Sequence, residues 1–252
     1  MFSGLRLQCN RLLDLLFPRY CAVCDEVLSE SEQHLCIKCF MDLPRTNFHT
    51  EKENVMEKMY WGKIPIEQAS AFIFYKEGFK DAVHDLKYRK NHAIGEYLGK
   101  LMADEINASS DFFKGIDAIV PIPLHRFRKW QRGYNQSEYI AKGINTVTKI
   151  PIFTNVVIRI VNNRSQTRMS HFDRKKNVEK IFMCTRPDLI RGKHILLVDD
   201  VITSNATTLS CAEAIMQAVG TPLPYVGDTS TIRFSILSLA YAGKIESQTT
   251  NT

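Results

Sequence analysis

The chain has 252 residues, 44% of them hydrophobic and 24% charged, and its formal net charge is +6. A chain of this length and hydrophobic content can bury a substantial core, which excludes a wholly disordered protein. It contains no run near the ~20 apolar residues that span a bilayer and no clear secretory cleavage site, so we expect a cytoplasmic protein without membrane insertion.

Before residue 18 the chain has the pattern of an amphipathic helix. Its apolar residues recur at roughly helical spacing, and Pro18 ends the pattern. The apolar face consists of Leu5, Leu12, Leu13, Leu15, Leu16 and Phe17. We expect this helix to pack against the core.

Four of the seven cysteines form two Cys-x-x-Cys pairs, Cys21 with Cys24 and Cys36 with Cys39. Each pair can fold as a tight knuckle that points two thiolates at one metal ion, and two knuckles complete the tetrahedron of a closed structural zinc site. A redox dithiol pair or a coincidence is the alternative, but the doubled spacing favours structural Zn²⁺.

The other nearby candidates for metal ligation are expected to be bystanders. His34 and His49 lie close enough in sequence to substitute for a ligand, but four thiolates already fill a tetrahedron. Cys9, Cys184 and Cys211 are expected to be ordinary reduced residues, since disulfides are rare in the cytoplasm.

A polar stretch over residues 48–58, rich in Glu and Lys, predicts a linker or an exposed helix. It marks the predicted domain boundary. Residues 1–60 would hold the amino-terminal helix, the zinc module and the linker, residues 61–245 a second domain, and residues 246–252 a polar tail.

From Gln68 onward, apolar strand candidates alternate with helical segments, which predicts βαβ units and a mainly parallel sheet. Strands are predicted at residues 71–75, 118–123, 156–160, 195–198 and 234–240. Helices are predicted at residues 81–88, 93–106, 136–144 and 206–218, and a loop at 220–231.

Positive charge is concentrated in residues 121–180, which hold 13 Lys or Arg and three acidic residues, whereas the remainder of the chain is net negative. Residues 125–132 are predicted to form a basic loop. This concentration favours a polyanionic ligand, either a sugar pyrophosphate or a nucleic-acid backbone, over a merely solvated surface. Phe127, Trp130 and Tyr134 could stack bases or belong to the core, and core is favoured for Tyr134.

Residues 195–207 read as a buried strand that ends on Asp199 and Asp200 and is followed by a polar turn opening a helix. The turn offers hydroxyls and backbone N–H groups at a helix start, where an anionic phosphate is bound well. The stretch resembles the ribose-phosphate loop of type I phosphoribosyltransferases. A pair of Mg²⁺-binding aspartates at a strand end, without a ribose nearby, is the alternative.

The turn departs from that loop at one glycine, whose place is taken by Asn205. Asparagine is among the non-glycine residues that best tolerate a positive φ, so the turn can survive with an added side chain. That side chain could weaken phosphate binding or donate its own amide to an oxygen.

Several motifs together resemble the ComF family. They are the cysteine knuckles, residues 86–88, 120–125, 132–136 and 165–167, Arg174 with Asn177, and the Asp-Asp turn, and they span nearly the whole chain. In that family a small zinc-binding module precedes a phosphoribosyltransferase-like domain, and members are associated with natural competence and incoming single-stranded DNA. The resemblance implies an α/β fold with a type I phosphoribosyltransferase-like, mainly parallel sheet and a small amino-terminal zinc-binding module.

The resemblance also implies a reaction in which a nucleophile displaces pyrophosphate from C1 of phosphoribosyl pyrophosphate. Asp199 and Asp200 are the candidate catalytic residues, expected to hold the ribose hydroxyls. Mg²⁺ would accompany the substrate. The expected phosphoribosyl pyrophosphate-binding residues are Thr203, Ser204, Asn205, Ala206 and Thr207 for the 5′-phosphate, Arg126 or Arg132 for the pyrophosphate, and Arg164 on a loop that could close as a lid.

A second function class uses the same fold without catalysis, as an adaptor that binds single-stranded DNA or a DNA helicase during DNA uptake. Binding need not mean turnover. The roles of three residues near the site are not decided by the sequence. Gln136 could contact ligand or satisfy backbone, whereas His125 and Arg159 are more simply explained as structural.

Overall fold

The computed structural model describes residues 18–76, 78–80, 92–161, 181–221 and 232–243. The described strands are β1 (Ile66–Phe74), β2 (Ala118–Pro121), β3 (Val157–Arg159), β4 (Phe182–Cys184), β5 (His194–Ile202) and β6 (Arg233–Tyr241). The described α-helices are α1 (Ile37–Met41), α2 (Val55–Lys58), α3 (His92–Ser109), α4 (Arg126–Arg132), α5 (Gln136–Thr148) and α6 (Ala206–Val219). The helices predicted at residues 5–17 and 81–88, most of the predicted 220–231 loop and the polar tail lie outside the described residues.

Four strands form a parallel sheet in the order β1-β6-β5-β2. Its central strand β5 is buried from His194 to Val198, because helices or loops cover both faces of the sheet. Alternate residues of β5 enter two different hydrophobic clusters, Leu196 and Val198 one of them and Ile195 and Leu197 the other. The predicted mainly parallel α/β sheet is confirmed.

Helices α3 and α5 cross on one face of the sheet, and two glycines let their backbones touch. A Cβ atom added at Gly99 would overlap the carbonyl oxygen of Ile140, and one added at Gly143 would overlap the carbonyl oxygen of Glu96. No side chain fits at either position without moving a helix. The crossing therefore fixes where the amino end of α5 lies against β5.

The four-cysteine module attaches to this same face. Residues 44–46 run antiparallel to β1, with the Thr46 amide donating to the Phe72 carbonyl at 3.0 Å and the Phe74 amide to the Pro44 carbonyl at 2.8 Å. The Arg45 guanidinium forms a two-point ion pair with the Glu105 carboxylate on α3, at 2.6 and 2.7 Å. Backbone pairing and an ion pair thus join the module to the sheet.

The segment after the module is packed, so the expectation of a linker or an exposed helix over residues 48–58 is wrong. Phe48, Met56 and Tyr60 are buried in the cluster beneath the opposite face of the sheet. Asn54 begins the one-turn helix α2 by accepting from the Met56 and Glu57 amides. Phe48 and Met56, with Tyr60 just after them, anchor the segment on the core, although its composition is polar and residues 50–53 are exposed.

Two further expectations are corrected. The predicted basic loop over residues 125–132 is the helix α4, which ends at Gly133 in the left-handed conformation, φ 84°. The strand expected to stop at Val198 continues to Ile202, because Asp199, Val201 and Ile202 pair with Ser238, Ala240 and Tyr241 of β6. Both carboxylates therefore belong to strand β5, near its end, and do not follow the strand.

Strands β3 and β4 form a separate antiparallel ribbon, with Val157 opposite Cys184 and Arg159 opposite Phe182. The ribbon joins the cluster that contains α6, since Val157, Phe182 and Cys211 are all buried there. A parallel bridge between His125 and Arg159 links the ribbon to the start of α4. The ribbon therefore stands beside the carboxyl end of the sheet.

Candidate functional site

The four predicted zinc ligands converge. The Sγ atoms of Cys21, Cys24, Cys36 and Cys39 all lie within 4.8 Å of one another, and those of Cys24 and Cys36 are 3.7 Å apart. Four thiolates about 2.3 Å from one Zn²⁺ would be separated by distances of this size. Among the described residues this is the one cluster of potential metal ligands, and its donor set fits a closed Cys₄ zinc site.

Local backbone geometry prepares the thiolate form of Cys21. Burial acts to raise the pKa of this thiol, but N–H donors from Cys36, Cys24 and Val23 outweigh burial and lower the pKa to about 7. The Cys36 amide lies 3.4 Å from the Cys21 sulfur. Because a metal binds the thiolate, these amides stabilise the ligand state of the site.

The predicted bystanders have other partners. The His34 ring packs on Tyr97, with the ring centroids 5.1 Å apart, and His49 Nε2 lies 2.9 Å from the Ser109 hydroxyl. Cys184 and Cys211 are free thiols outside the cluster. Cys9 lies outside the described residues.

The two carboxylates lie half-buried at the carboxyl end of β5. The Asp199 Oδ1 atom accepts from its neighbour's amide at 2.9 Å and from the Ser137 hydroxyl at 3.2 Å. Asp200 Oδ1 accepts from the Val201 amide at 2.7 Å. One oxygen of each carboxylate is thereby oriented, and Ser137 ties the start of α5 to the site. Ser137 could not be recognised from the sequence beyond its place at a helix start.

The polar turn of residues 203–205 leads directly into α6, a helix of 14 residues. Thr203 and Ser204 are exposed, and Asn205 has no hydrogen bond that caps the helix. The first amides of α6 and the hydroxyls of the turn thus stand next to Asp199 and Asp200. A helix amino terminus of this kind attracts an anion.

Asn205 does not use the positive φ for which it seemed suited. Its φ is −74° and its ψ is −4°, so the turn forms without a positive φ at this residue. Its side-chain amide donates to the Met59 carbonyl at 2.6 Å. The amide is therefore directed to the segment after α2, and it braces the turn.

A second contact from the same segment supports the turn. The buried Tyr60 hydroxyl lies 2.6 Å from the Thr208 Oγ1 atom in the first turn of α6. Burial raises the pKa of Tyr60, so the neutral hydroxyl persists well above neutral pH. Sequence reasoning missed Met59 and Tyr60, because their contacts with α6 span almost 150 residues of chain.

Helix α4 presents the basic residues. Arg132, near its end, donates to the Gln136 Oε1 atom at 3.2 Å, and Gln136 precedes the serine that binds Asp199. Arg126, at its start, lies instead beside the β3–β4 ribbon, in a cavity shared with Arg159. The two arginines expected as alternatives for the pyrophosphate thus stand at opposite ends of α4. Arg164, like Arg174 and residues 86–88 and 165–167, lies outside the described residues.

His125 and Gln136 receive more definite positions. The His125 Nδ1 atom accepts from the Phe127 amide at 3.3 Å and caps α4, which gives this ring a structural use. Gln136 is 1% exposed, and its Nε2 atom has no hydrogen-bond partner in the part of the chain that the structure describes. On α4, Phe127 and Trp130 are 49% and 79% exposed, whereas Tyr134, between α4 and α5, is buried, as predicted.

The chain is similar to known proteins both in its four-cysteine module and over most of its length. Residues 12–49 match the family described as a double zinc ribbon domain. The chain is 26% identical over 216 residues to the "DNA utilization protein YhgH" of Escherichia coli (strain K12), covering 85% of this chain and 91% of the relative. It is 27% identical over 208 residues to "Competence protein F" of Haemophilus influenzae, covering 81% of each.

Among solved structures, the glutamine phosphoribosylpyrophosphate (PRPP) amidotransferase from B. subtilis, complexed with ADP and GMP, superposes with a TM-score of 0.38 at 16% identity. The match covers 61% of this chain and 30% of the amidotransferase chain. Among the described helices, none combines the length and the apolar character that crossing a bilayer requires.

Proposed function

We propose that this homologue of competence protein F and of the DNA utilization protein YhgH binds phosphoribosyl pyrophosphate with Mg²⁺ at the carboxyl end of β5. The resemblance to the ComF family is confirmed by those homologues, which extend over about 85% of the chain, and by the amino-terminal double zinc ribbon. A role in the use or uptake of DNA is what the names of the relatives support.

One observation carries the sugar-phosphate proposal. Two half-buried carboxylates lie near the end of β5, and α6 begins at Ala206, with no side-chain cap, shortly after them in the chain. The carboxylates suit a vicinal diol as hydrogen-bond acceptors, and the helix end suits a phosphate. A pentose 5-phosphate carries both a vicinal diol and a phosphate.

The proposed reaction breaks the bond between C1 of the ribose and the pyrophosphate oxygen and forms a bond from C1 to the acceptor. Asp199 and Asp200 would orient the ribose hydroxyls, and their negative charge would favour the cationic character that develops at C1. Residues 203–207 would hold the 5′-phosphate. Arg132, with Arg164, would bind the departing pyrophosphate, since Arg126 lies at the other end of α4 in a separate cavity.

Mg²⁺ usually binds through one or two carboxylates together with substrate phosphates, and two carboxylates are what β5 offers. When bound, it would neutralise charge on the pyrophosphate.

A titration with phosphoribosyl pyrophosphate and Mg²⁺ tests the proposal. The double variant Asp199→Asn with Asp200→Asn should bind at least about tenfold more weakly, since each lost charge-assisted hydrogen bond is worth about 1.5–3 kcal/mol. The matched control makes the same charge change at two exposed acids, Asp111→Asn with Asp188→Asn, and should bind like wild type. Equal binding by both double variants would contradict the proposal.

The non-catalytic adaptor remains a second candidate, because an aromatic pair stands exposed on a basic helix. The rings of Phe127 and Trp130 are 6.1 Å apart on α4, between Arg126 and Arg132. Exposed aromatic rings among cations can stack the bases of single-stranded DNA.

The two tryptophans provide a matched test of the adaptor. Trp130→Ala should weaken single-stranded DNA binding about tenfold, because one stacked base is worth about 1–3 kcal/mol. Trp61→Ala, at the other exposed tryptophan, should leave it unchanged. DNA binding that is equally affected by both substitutions would count against α4 as the DNA-contacting element.

A further inference from the structure

A cavity lies between α4 and the β3–β4 ribbon, near the carboxylate turn. Its volume is about 440 Å³, the size of a pocket for a small molecule. His125, Arg126, Lys129 and Arg159 supply basic groups to its lining, and Glu138 is the one acidic residue there. Neither Asp199 nor Asp200 lines it, so this cavity is separate from the turn proposed to hold the sugar phosphate.

The charge of this cavity is not balanced by its own residues. Glu138 pairs with Lys129, whose Nζ atom lies 2.8 Å from the Glu138 Oε1 atom. Arg126 and Arg159 are then left facing no carboxylate among the lining residues. A cavity with two such guanidinium groups and a partly closed wall has a positive potential, which concentrates anions.

Arg159, which the sequence pattern explained more simply as a structural residue, is held in place by its neighbours. Its backbone bridges to His125, and its guanidinium carbon lies 5.4 Å from the centroid of the Phe182 ring. Its Nε atom is buried and has no hydrogen-bond acceptor among the described residues. A buried N–H without a partner costs free energy, and a guanidinium fork binds carboxylate or phosphate especially well.

The electrostatic surroundings of Arg159 agree with an anion site. Burial lowers its pKa first, the nearby positive charge of Arg128 lowers it further, and Asp199 opposes both without cancelling them. A cation that is half-buried near another cation gains stability when an anion binds. Part of the cavity lining is apolar, since Ile158 and Ile160 are 40% and 45% exposed and line the same cavity.

We infer that this cavity binds a small organic anion, with its carboxylate or phosphate at Arg159 and Arg126 and its apolar body against Ile158 and Ile160. The inference deepens the proposed function and rests on it, because it assigns a chemical class to the second ligand, the acceptor of the phosphoribosyl group.

Three probes of one shape test the charge requirement: benzoate, phenyl phosphate and the neutral benzamide. Each is titrated into the zinc-loaded full chain without phosphoribosyl pyrophosphate, and binding is followed by the NMR signals of arginine side chains. We expect at least one anion to bind about tenfold more tightly than benzamide. The comparison of benzoate with phenyl phosphate shows which anionic group the cavity prefers.

Arg159→Gln should remove the preference for the anion, whereas Arg186→Gln, an exposed ribbon-side arginine already paired with Asp188, should retain it. Because the half-buried Arg159 variant can lose folded protein, Arg126→Gln on the exposed face of α4 is the second variant and has to reduce the same ratio. The inference is overturned if no probe binds, if benzamide binds as well as the anions, or if both variants keep the wild-type ratio.

The probe titration and the phosphoribosyl pyrophosphate titration fail independently. If the wild-type chain prefers the anionic probes but does not bind phosphoribosyl pyrophosphate, the anion cavity stands and the proposed function is wrong. If it binds phosphoribosyl pyrophosphate through Asp199 and Asp200 but shows no anion preference, only the anionic acceptor is wrong.

Discussion

The four-cysteine module draws all of its ligands from residues 21–39, whereas the carboxylate turn depends on three separated segments of chain. In the module, knuckle spacing alone brings the sulfur atoms together. At the turn, the carboxylates and α6 come from one stretch, but Ser137 arrives on α5 and the brace arrives from Met59 and Tyr60. A site closed within a short loop depends on local geometry, and an assembled site depends on packing elsewhere.

The largest effect is expected from Cys36→Ser, which breaks the module. Cys36 is buried, accepts from the Cys39 amide and begins α1. Serine can still cap the helix, so the change chiefly removes a metal ligand. We expect bound zinc to fall from about one equivalent to below about 0.2, with a loss of at least about 3 kcal/mol in the free energy of unfolding. Metal analysis and thermal denaturation measure both.

Cys184→Ser is the control for the module, since this half-buried thiol lies outside the cluster. It should retain zinc. Full zinc content in the Cys36 variant would show that the four sulfurs do not form the metal site.

Gly143→Ala is expected to disturb the assembled site while leaving the module loaded. The new methyl group would overlap the Glu96 carbonyl and force α5 away from α3. Overpacking of this kind costs about 1–3 kcal/mol, and it would also move Ser137 from Asp199. Denaturant unfolding should show the loss at unchanged zinc content. Asn107→Ala, on the exposed side of α3, should stay within about 0.5 kcal/mol of wild type, and an equal loss there would refute the crossing argument.

Substitutions at Asn205 test whether its side chain stabilises the turn through a hydrogen bond or whether the backbone there requires a positive φ. Asn205→Ala removes the bond to the Met59 carbonyl and should cost about 1 kcal/mol in the free energy of unfolding. Asn205→Gly should be no more stable than the alanine variant, because φ is negative there. Chemical denaturation of the two variants decides. A glycine variant more stable by about 1 kcal/mol or more would indicate a left-handed backbone at this position.

The smallest effect is expected at the other end of β5, in the response to pH. Burial first, and Arg233 next, lower the pKa of His194 below its ordinary 6.5, and its ring contacts Ser235 Oγ and the Gly115 carbonyl at 2.9 and 3.2 Å. The unfolded chain therefore takes up a proton near pH 6.5 that the folded chain takes up only at lower pH. Stability from this group is complete above pH 6.5 and declines as the pH falls below it, by at most about 1.4 kcal/mol per pH unit.

His194→Gln should flatten the decline between pH 7 and the lowered pKa, measured as the free energy of unfolding at several pH values and constant zinc content. The same slope in the variant and the wild type would mean that His194 does not contribute to it.

Local patterns were read correctly where local physics decides the outcome. The helix predicted at residues 206–218 is α6, and the strand predicted at 234–240 is β6. The expectations that failed depended on distant partners. The polar 48–58 segment is buried by contacts with the sheet, and the strand holding Asp199 is extended by pairing with β6. A sequence window does not contain those partners.

The amino-acid sequence by itself determined the two cysteine knuckles, the alternation of strands and helices, and the pairing of two carboxylates with a helix start. These follow from spacing, periodicity and residue chemistry over fewer than about 20 residues. Only the tertiary structure decided that Asn205 points to Met59, that Ser137 meets Asp199, and that Arg159 shares a cavity with Arg126. Those residues are far apart in the chain. The packing of the helices and the ribbon around one sheet brings them close enough to form hydrogen bonds or to line one cavity.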